Sequence, residues 1–185
     1  MEQRETEQRN GTNGIEMERI LTRHGYHSPV PVGEGSFSRV YRVTDGSGGF
    51  RACRVSDVTE QWLRECENWQ EIRHPLFPGY VEHWMEEGKG YLIMEFWDGM
   101  DLRKMLERRG RLTPGHAAWI ADQIAGGIQY LHERQHPFLY RDLKPENIRI
   151  RVNGRVGILD LGCLWNREEK WSGAGNYSYS APEQF

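Results

Sequence analysis

A glycine-rich stretch from Val32 to Val40, with the sequence VGEGSFSRV, carries the residue types of an anion site. Glycine lets the backbone approach a phosphate without a Cβ in the way, and exposed N–H groups can then point at the anion. The chemistry would be phosphate binding. Taken alone, the stretch fits a hairpin turn that binds nothing better, because such turns are common in strand-rich sequence.

A second candidate is the segment LYRDLKPENIRI, from Leu139 to Ile150, in which charged and amide side chains crowd between two apolar runs. The density of charge argues against a buried strand or helix. Pro145 also disfavours the helical conformation for Lys144, which precedes it. The segment is therefore predicted to be a loop.

The elements that must position these stretches change along the chain. Apolar spacing predicts a short helix over Ile15–Gly25, three antiparallel strands from Val30 with a turn at Asp45–Gly49, and a helix over Val58–Ile72. Two more strands are predicted at Tyr80–Met85 and Gly90–Phe96, and helices at Asp101–Arg109 and Pro114–Arg134. Trp62, Cys66 and Trp69 share one face of the helix over Val58–Ile72. A small sheet with one helix is followed by a helical part.

Composition excludes several classes of protein. Of the 185 residues, 24 are basic and 27 acidic, and the charges are spread along the chain, so we expect no nucleic-acid partner. No apolar run is long enough for a membrane segment, and the polar first 14 residues are unlike a signal peptide, which predicts a cytoplasmic protein with a disordered N-terminal tail. Three scattered cysteines fit a reducing compartment.

The glycine-rich stretch, the YRDLKPEN loop, the LDLG segment and the final SAPEQF occur in the order found in eukaryotic-type Ser/Thr protein kinases, which the chain resembles from about Val30 to Phe185. The resemblance implies a bilobal α+β fold. Its N-lobe of antiparallel sheet and one helix would span residues 30–97, after a tail at 1–14 and a helix with lead-in at 15–29. An incomplete helical C-lobe would span 98–185.

The resemblance also implies chemistry, namely transfer of the ATP γ-phosphate to a Ser or Thr hydroxyl of a protein substrate. Asp142 matches the aspartate that accepts the hydroxyl proton, and Lys144 would lie beside the transferred phosphate. Asn147 and Asp160 match two Mg²⁺ ligands. The alternatives are an exposed loop carboxylate for Asp142 and a turn residue for Asp160.

Nucleotide contacts follow from the same resemblance. Those in the glycine-rich loop would be Val32, Gly33, Glu34, Gly35, Ser36 and Phe37, and those elsewhere Val40, Ala52, Arg54, Met94, Glu95, Trp97 and Asp101. Val40 and Ala52 would cover the adenine, Met94 the back of the pocket, and Asp101 the ribose. Ordinary core packing explains Val40 and Met94 equally well. Glu65 matches the helix glutamate that pairs with the strand cation, with a solvent-exposed glutamate as the alternative.

Four positions depart from the family pattern. Arg54 stands where the family has lysine, and its planar fork places its donors differently. Tyr140 replaces a histidine whose ring mainly packs, and Arg149 replaces an apolar residue under the adenine, where its stem would pack while its head reaches solvent. Asn176 replaces a threonine that steadies the catalytic aspartate, and its amide is expected to make a similar bond.

The chain stops at Phe185, so the resemblance predicts a truncated C-lobe whose exposed surface, including part of the helix Pro114–Arg134, favours association. Three hypotheses follow: an active Ser/Thr kinase, a pseudokinase or nucleotide-binding regulatory module, and an inactive fragment of a kinase gene. Arg141 suggests pairing with a phosphorylated activation segment, for which Ser172 is the predicted site.

Overall fold

The computed structural model describes residues 14–35, 38–166, 173 and 175–184. Helices in these ranges are α1 (residues 14–23), α2 (Glu60–Glu71), α3 (Leu102–Arg109) and α4 (Pro114–His132). The longer strands are β1 (His27–Glu34), β2 (Ser38–Thr44), β3 (Phe50–Asp57), β4 (Tyr80–Glu86) and β5 (Lys89–Glu95). The shorter ones are β6 (Gly99–Asp101), β7 (Phe138–Leu139), β8 (Ile148–Arg151), β9 (Val156–Ile158) and β10 (Trp165–Asn166).

The chain forms two compact units, one from residues up to 59 together with 81–96, the other from 60–80 together with 97–185. The fold class is α+β, as predicted, and the predicted helices and long strands are found within a few residues of their expected bounds. The predicted domain limits stay a prediction. The expected disorder of the N-terminal tail concerns residues outside the described part of the chain.

The first unit is a five-stranded antiparallel sheet in the order β1-β2-β3-β5-β4. Asp45 shapes the predicted β2–β3 turn, since its carboxylate accepts hydrogen bonds from the backbone N–H of Ser47 at 2.9 Å and of Gly49 at 2.8 Å. Helix α1 packs on one face, where Ile20 and Leu21 are 2% and 0% exposed and join a core cluster with Val43, Cys53, Tyr91 and Ile93. Sheet and helix therefore share one core.

The second unit contains α2, α3 and α4, the β6-β8-β9 sheet and the β7-β10 pair. Thr113 caps α4, as its hydroxyl accepts from the His116 N–H at 3.3 Å, and Pro114 opens the first turn. The predicted face of α2 is confirmed, because Trp62, Cys66 and Trp69 are all buried.

Helix α4 buries a narrow stripe of its surface. Ile120, Ile124 and Leu131 are buried, whereas Ala117 and Ala121 are exposed. Gly127 completes the stripe, because a Cβ there would lie 1.9 Å from Leu76 Cδ2. The predicted association through this part of the chain stays a prediction.

Candidate active site

Asp142, Lys144 and Asn147 form one hydrogen-bonded group in the second unit. Lys144 Nζ lies 2.6 Å from Asp142 Oδ2, and Asn147 Nδ2 donates to the same oxygen at 2.9 Å and to the Asp142 main-chain oxygen at 3.0 Å. Asp142 and Asn147 are each only 9% exposed. The alternative of an exposed loop carboxylate is therefore wrong, and the predicted loop gathers a carboxylate, an ammonium and an amide at one point.

The electrostatics of this group hold Lys144 in its charged form. Partial burial is the largest influence and lowers its pKa, but the hydrogen bond and negative charge of Asp142, with the charge of Asp160, outweigh it and raise the pKa of Lys144. A positive charge is thus kept beside the Asp142 carboxylate.

The loop is held by contacts on both sides of Asp142. Arg141 has a φ of +63°, and the Asp142 N–H donates to the Tyr140 oxygen at 2.9 Å, which makes a tight turn of a rare, strained kind. Arg141 Nε donates to the Cys163 oxygen at 2.9 Å, and Gln184 Nε2 donates to the Arg141 oxygen at 3.0 Å. Lys144 is extended before Pro145, as expected for a residue preceding proline.

Asp160 is brought beside Asn147 by strand pairing. Ile148 opposes Ile158 in the β8–β9 ladder, and the Leu159 N–H donates to the Asn147 oxygen at 3.1 Å. The Asp160 carboxylate accepts from the Gly162 N–H at 2.8 Å. Asn147 and Asp160 thus lie at adjacent strand ends, together with Asp142. Their side-chain oxygens are the hard ligands that Mg²⁺ prefers.

Tyr140 does more than pack. Its ring is 5% exposed, and its hydroxyl donates to the main-chain oxygen of Asp160 at 2.7 Å. Burial, followed by the charges of Asp160 and Asp142, raises the pKa of Tyr140 far above its ordinary value. Tyr140 thus adds a hydrogen bond to the packing expected of the histidine ring that it replaces. In the sequence, the signal for this bond is the hydroxyl group that tyrosine carries.

Glu65 on α2 is 5% exposed, so the alternative of a solvent-exposed glutamate is wrong. Trp69 Nε1 donates to its Oε1 at 3.3 Å. A Cβ on Gly162 would lie 3.4 Å from Glu65 Oε2, and Gln61 Nε2 donates to the Gly162 oxygen at 3.0 Å. Helix α2 therefore directs Glu65 toward the segment that carries Asp160. The contact made by Gln61 was not foreseen.

Further expected site residues lie in this unit. Trp97 is buried, with the Arg151 guanidinium 4.2 Å from its ring centroid, and Asp101 caps α3 by accepting from the Lys104 N–H at 2.8 Å. Arg149 is half-buried, and its Nη1 donates to the Gly99 oxygen at 3.0 Å, so its head does not simply reach solvent. Asn176 Oδ1 accepts from the Ser178 N–H at 2.9 Å, a local turn contact in place of the expected bond to Asp142.

The first unit gathers the remaining expected nucleotide contacts. Val40 opposes Arg54, and Ala52 opposes Met94, which places all four side chains on one face of the sheet. Ala52 and Met94 are buried, whereas Glu95 is exposed. Val32, Gly33, Glu34 and Gly35 lead into the glycine-rich turn, in which the Gly35 N–H donates to the Ser38 oxygen at 2.8 Å. Ser36, Phe37 and the predicted phosphorylation site Ser172 lie outside the described residues.

The family model described as "Protein kinase domain" matches residues 26–185, most of the chain. An Aurora kinase of Eremothecium gossypii is 33% identical over 140 residues, covering 71% of this chain and 38% of the relative. The human cAMP-dependent protein kinase catalytic subunit PRKX is 30% identical over 174 residues, covering 89% and 48%. The human putative serine/threonine-protein kinase PRKY is 30% identical over 164 residues, covering 83% and 58%. The chain thus spans between about two fifths and three fifths of the length of these relatives.

Proposed function

Because the chain belongs to the protein kinase domain family, we propose that it transfers the γ-phosphate of ATP to a Ser or Thr hydroxyl of a protein substrate. The observation that carries the proposal is the buried group of Asp142, Lys144 and Asn147, with Asp160 at the adjacent strand end. Relatives named as serine/threonine or cAMP-dependent protein kinases support the choice of acceptor.

Each residue of the group has a task in this reaction. The substrate oxygen forms a bond to the γ-phosphorus as the bond to the β-phosphate oxygen breaks, and the hydroxyl proton passes to the Asp142 carboxylate. Lys144, held 2.6 Å from that carboxylate, would exchange part of this contact for the transferred phosphate. Tyr140 and Gly162 fix Asp160 at its main-chain oxygen and its carboxylate.

Mg²⁺ would be held by Asn147 and Asp160, and it supplies neutralisation of the phosphate charge. Among the described residues no group of three or more His, Cys, Asp and Glu side chains forms a metal site. Such a pair of protein ligands is nevertheless what Mg²⁺ needs when phosphates complete its coordination.

Arg54 would contact the nucleotide phosphates, and it favours a second candidate function. An arginine at this position supports a nucleotide-binding module with little turnover, because its guanidinium cannot place a point charge as an ammonium does. Both candidate functions need the same nucleotide site, and they differ in whether the phosphate is transferred.

A cytoplasmic location fits the chain as well. Cys53, Cys66 and Cys163 are free thiols, as is usual in a reducing compartment. In the part of the chain that the structure describes, no helix has the length and apolarity required to cross a membrane.

The test measures phosphate transfer from radiolabelled ATP to a mixture of Ser/Thr peptides, with thermal unfolding followed in parallel. Asp142→Asn should lower turnover at least about 100-fold. Asp160→Ala should remove the stabilisation by Mg-ATP, which is about 2.7 kcal/mol at 100 times the dissociation constant. Asp122→Asn, an exposed change on α4, is the control. Nucleotide binding with no transfer would favour the regulatory module, and no binding would refute both.

A further inference from the structure

The two faces of the five-stranded sheet carry different residues. Val40, Ala52, Arg54 and Met94 lie on one face, as described above. The strand register places Tyr41 opposite Cys53, Val55 opposite Tyr91 and Asp57 opposite Lys89 on the other face, here called the back face. Helix α1 covers part of this back face through Ile20 and Leu21. A site on the back face therefore lies on the other side of the sheet from these four residues.

A cavity of about 510 Å³ lies between α1 and the uncovered part of the back face. This volume is in the range of small-molecule sites. Its apolar lining comes from Met17 and Ile20 of α1 and from Tyr41, Val55 and Tyr91 of the sheet. Met17, Tyr41 and Val55 are half-buried and supply the exposed part of this apolar lining, whereas Ile20 and Tyr91 are each 2% exposed.

The charged groups around the cavity are mostly acidic. Glu16, Glu34, Asp57 and Glu87 line it, against the two cations Arg39 and Lys89. Both cations are already paired, since Arg39 Nε lies 3.0 Å from Glu34 and Lys89 Nζ lies 2.5 Å from Asp57. Glu16 and Glu87 remain as the acidic excess of the lining.

These two carboxyls come from separate segments, α1 and the turn between β4 and β5, and they meet at the cavity. The neighbouring Glu16 carboxyl, with partial desolvation, raises the pKa of Glu87. Arg23, the α1 cation that acts on Glu87, is paired with Glu86 at 2.5 Å. A cation placed between Glu16 and Glu87 would offset the repulsion between the two carboxylates.

We propose that this cavity binds a small organic cation with an apolar body, an arylalkyl- or alkylammonium group. The body lies against Met17, Tyr41 and Val55, and the ammonium lies between Glu16 and Glu87. Gly35 and Ser38 of the glycine-rich turn line the same cavity. A bound molecule therefore contacts that turn, in which Glu34 and Gly35 are also expected nucleotide contacts.

The test uses three probes with the same body and different head groups: 4-phenylbutylamine, 4-phenylbutan-1-ol and 4-phenylbutanoate. Each is titrated into the whole 185-residue chain and followed by backbone amide NMR. The amine should shift the amides of Met17, Gly35, Val55 and Tyr91 saturably, with a dissociation constant about tenfold below that of the alcohol, since two exposed charge pairs supply about that factor. The carboxylate should bind most weakly.

Two sets of variants test separately how the charges and the apolar lining contribute to binding. Glu16→Gln combined with Glu87→Gln should bring amine and alcohol within about threefold of each other, since the two charge pairs are gone. Glu18→Gln with Glu67→Gln changes the net charge equally outside the cavity and should leave the preference intact. Val55→Phe should fill the cavity and abolish binding, whereas Val81→Phe, on an exposed position of β4, should not.

Equal affinities for amine and alcohol, or amide shifts that map away from the cavity, would overturn the proposal. So would a loss of preference in the Glu18→Gln, Glu67→Gln control. If Val55→Phe unfolds the chain, as circular dichroism would show, the paired glutamine variants alone decide the outcome, because they change exposed side chains.

Discussion

The Tyr140 hydroxyl donates a hydrogen bond to the main-chain oxygen of Asp160 at 2.7 Å, joining the loop of the proposed proton acceptor to the segment of a proposed metal ligand. The two residues are 20 positions apart in the sequence. A single buried hydroxyl thus links two parts of the candidate site.

Tyr140→Phe should remove this bond while keeping the ring. The buried Asp160 oxygen would then lose its donor, so we expect the free energy of unfolding to fall by about 1 kcal/mol. Urea denaturation of both proteins measures the change. Tyr177→Phe, at a residue that is 85% exposed, is the matched control and should change stability less, because water replaces any contact that its hydroxyl loses. Equal stabilities of Tyr140→Phe and the parent would show that the bond contributes nothing.

Adjacent glycines in α4 should respond oppositely to alanine. A Cβ on Gly126 meets nothing within 4 Å, so Gly126→Ala should stabilise the chain by up to about 1 kcal/mol through helix propensity. A Cβ on Gly127 would lie 2.9 Å from Leu76 Cβ as well as 1.9 Å from its Cδ2, and overpacking of this kind costs about 1–3 kcal/mol. Thermal unfolding of the two variants should give shifts of opposite sign. A shared sign would contradict the packing described for Leu76.

Stability should fall in mild alkali because of Cys53. Burial raises the pKa of its thiol to about 12, whereas an unfolded thiol titrates near about 8.5. Above about pH 8.5 the unfolded state loses this proton, whereas the folded state keeps it. The contribution of Cys53 to the free energy of unfolding is therefore complete below that pH and declines as the pH rises, by up to about 1.4 kcal/mol per pH unit.

The check compares the parent with Cys53→Val by urea denaturation between about pH 7 and pH 9, below the ordinary tyrosine pKa of about 10. Because valine does not titrate, the stability difference between the two proteins should shift in favour of Cys53→Val as pH rises. A difference that stays constant across the range would mean that the Cys53 thiol does not control the alkaline loss.

Arg54→Lys tests the departure in β3. A lysine there would supply a compact charge to the nucleotide phosphates, and we expect kcat/KM for Mg-ATP to rise by about tenfold, or about 1.4 kcal/mol. Arg51→Lys, on the same strand and the other face, is the control. A fall in kcat/KM on Arg54→Lys would mean that the arginine is adapted to this site.

Periodicity and motif order predicted the elements well because they depend on local sequence. Trp62, Cys66 and Trp69 occupy one helical face and are all buried. The ordered motifs likewise indicated Asp142 and Asn147, which the structure joins by hydrogen bonds.

Contacts between distant segments were harder to predict. The pattern of α1 predicted a helix but not that Ile20 and Leu21 would cover the back face. The bond from Arg149 to the Gly99 oxygen likewise joins residues 50 positions apart. For Glu65 the sequence left two alternatives open, and the position of α2 relative to Gly162 decided between them.

The order β1-β2-β3-β5-β4 has a consequence for how the first unit assembles. Three strands follow one another directly, but Cys53 of β3 pairs with Ile93 of β5 only after the chain has passed through α2 and β4. During synthesis, β3 would emerge with one edge open until β5 arrives, and non-local pairings of this kind form slowly. The interval before β5 is made is therefore when a nascent chain of this protein would most need a chaperone.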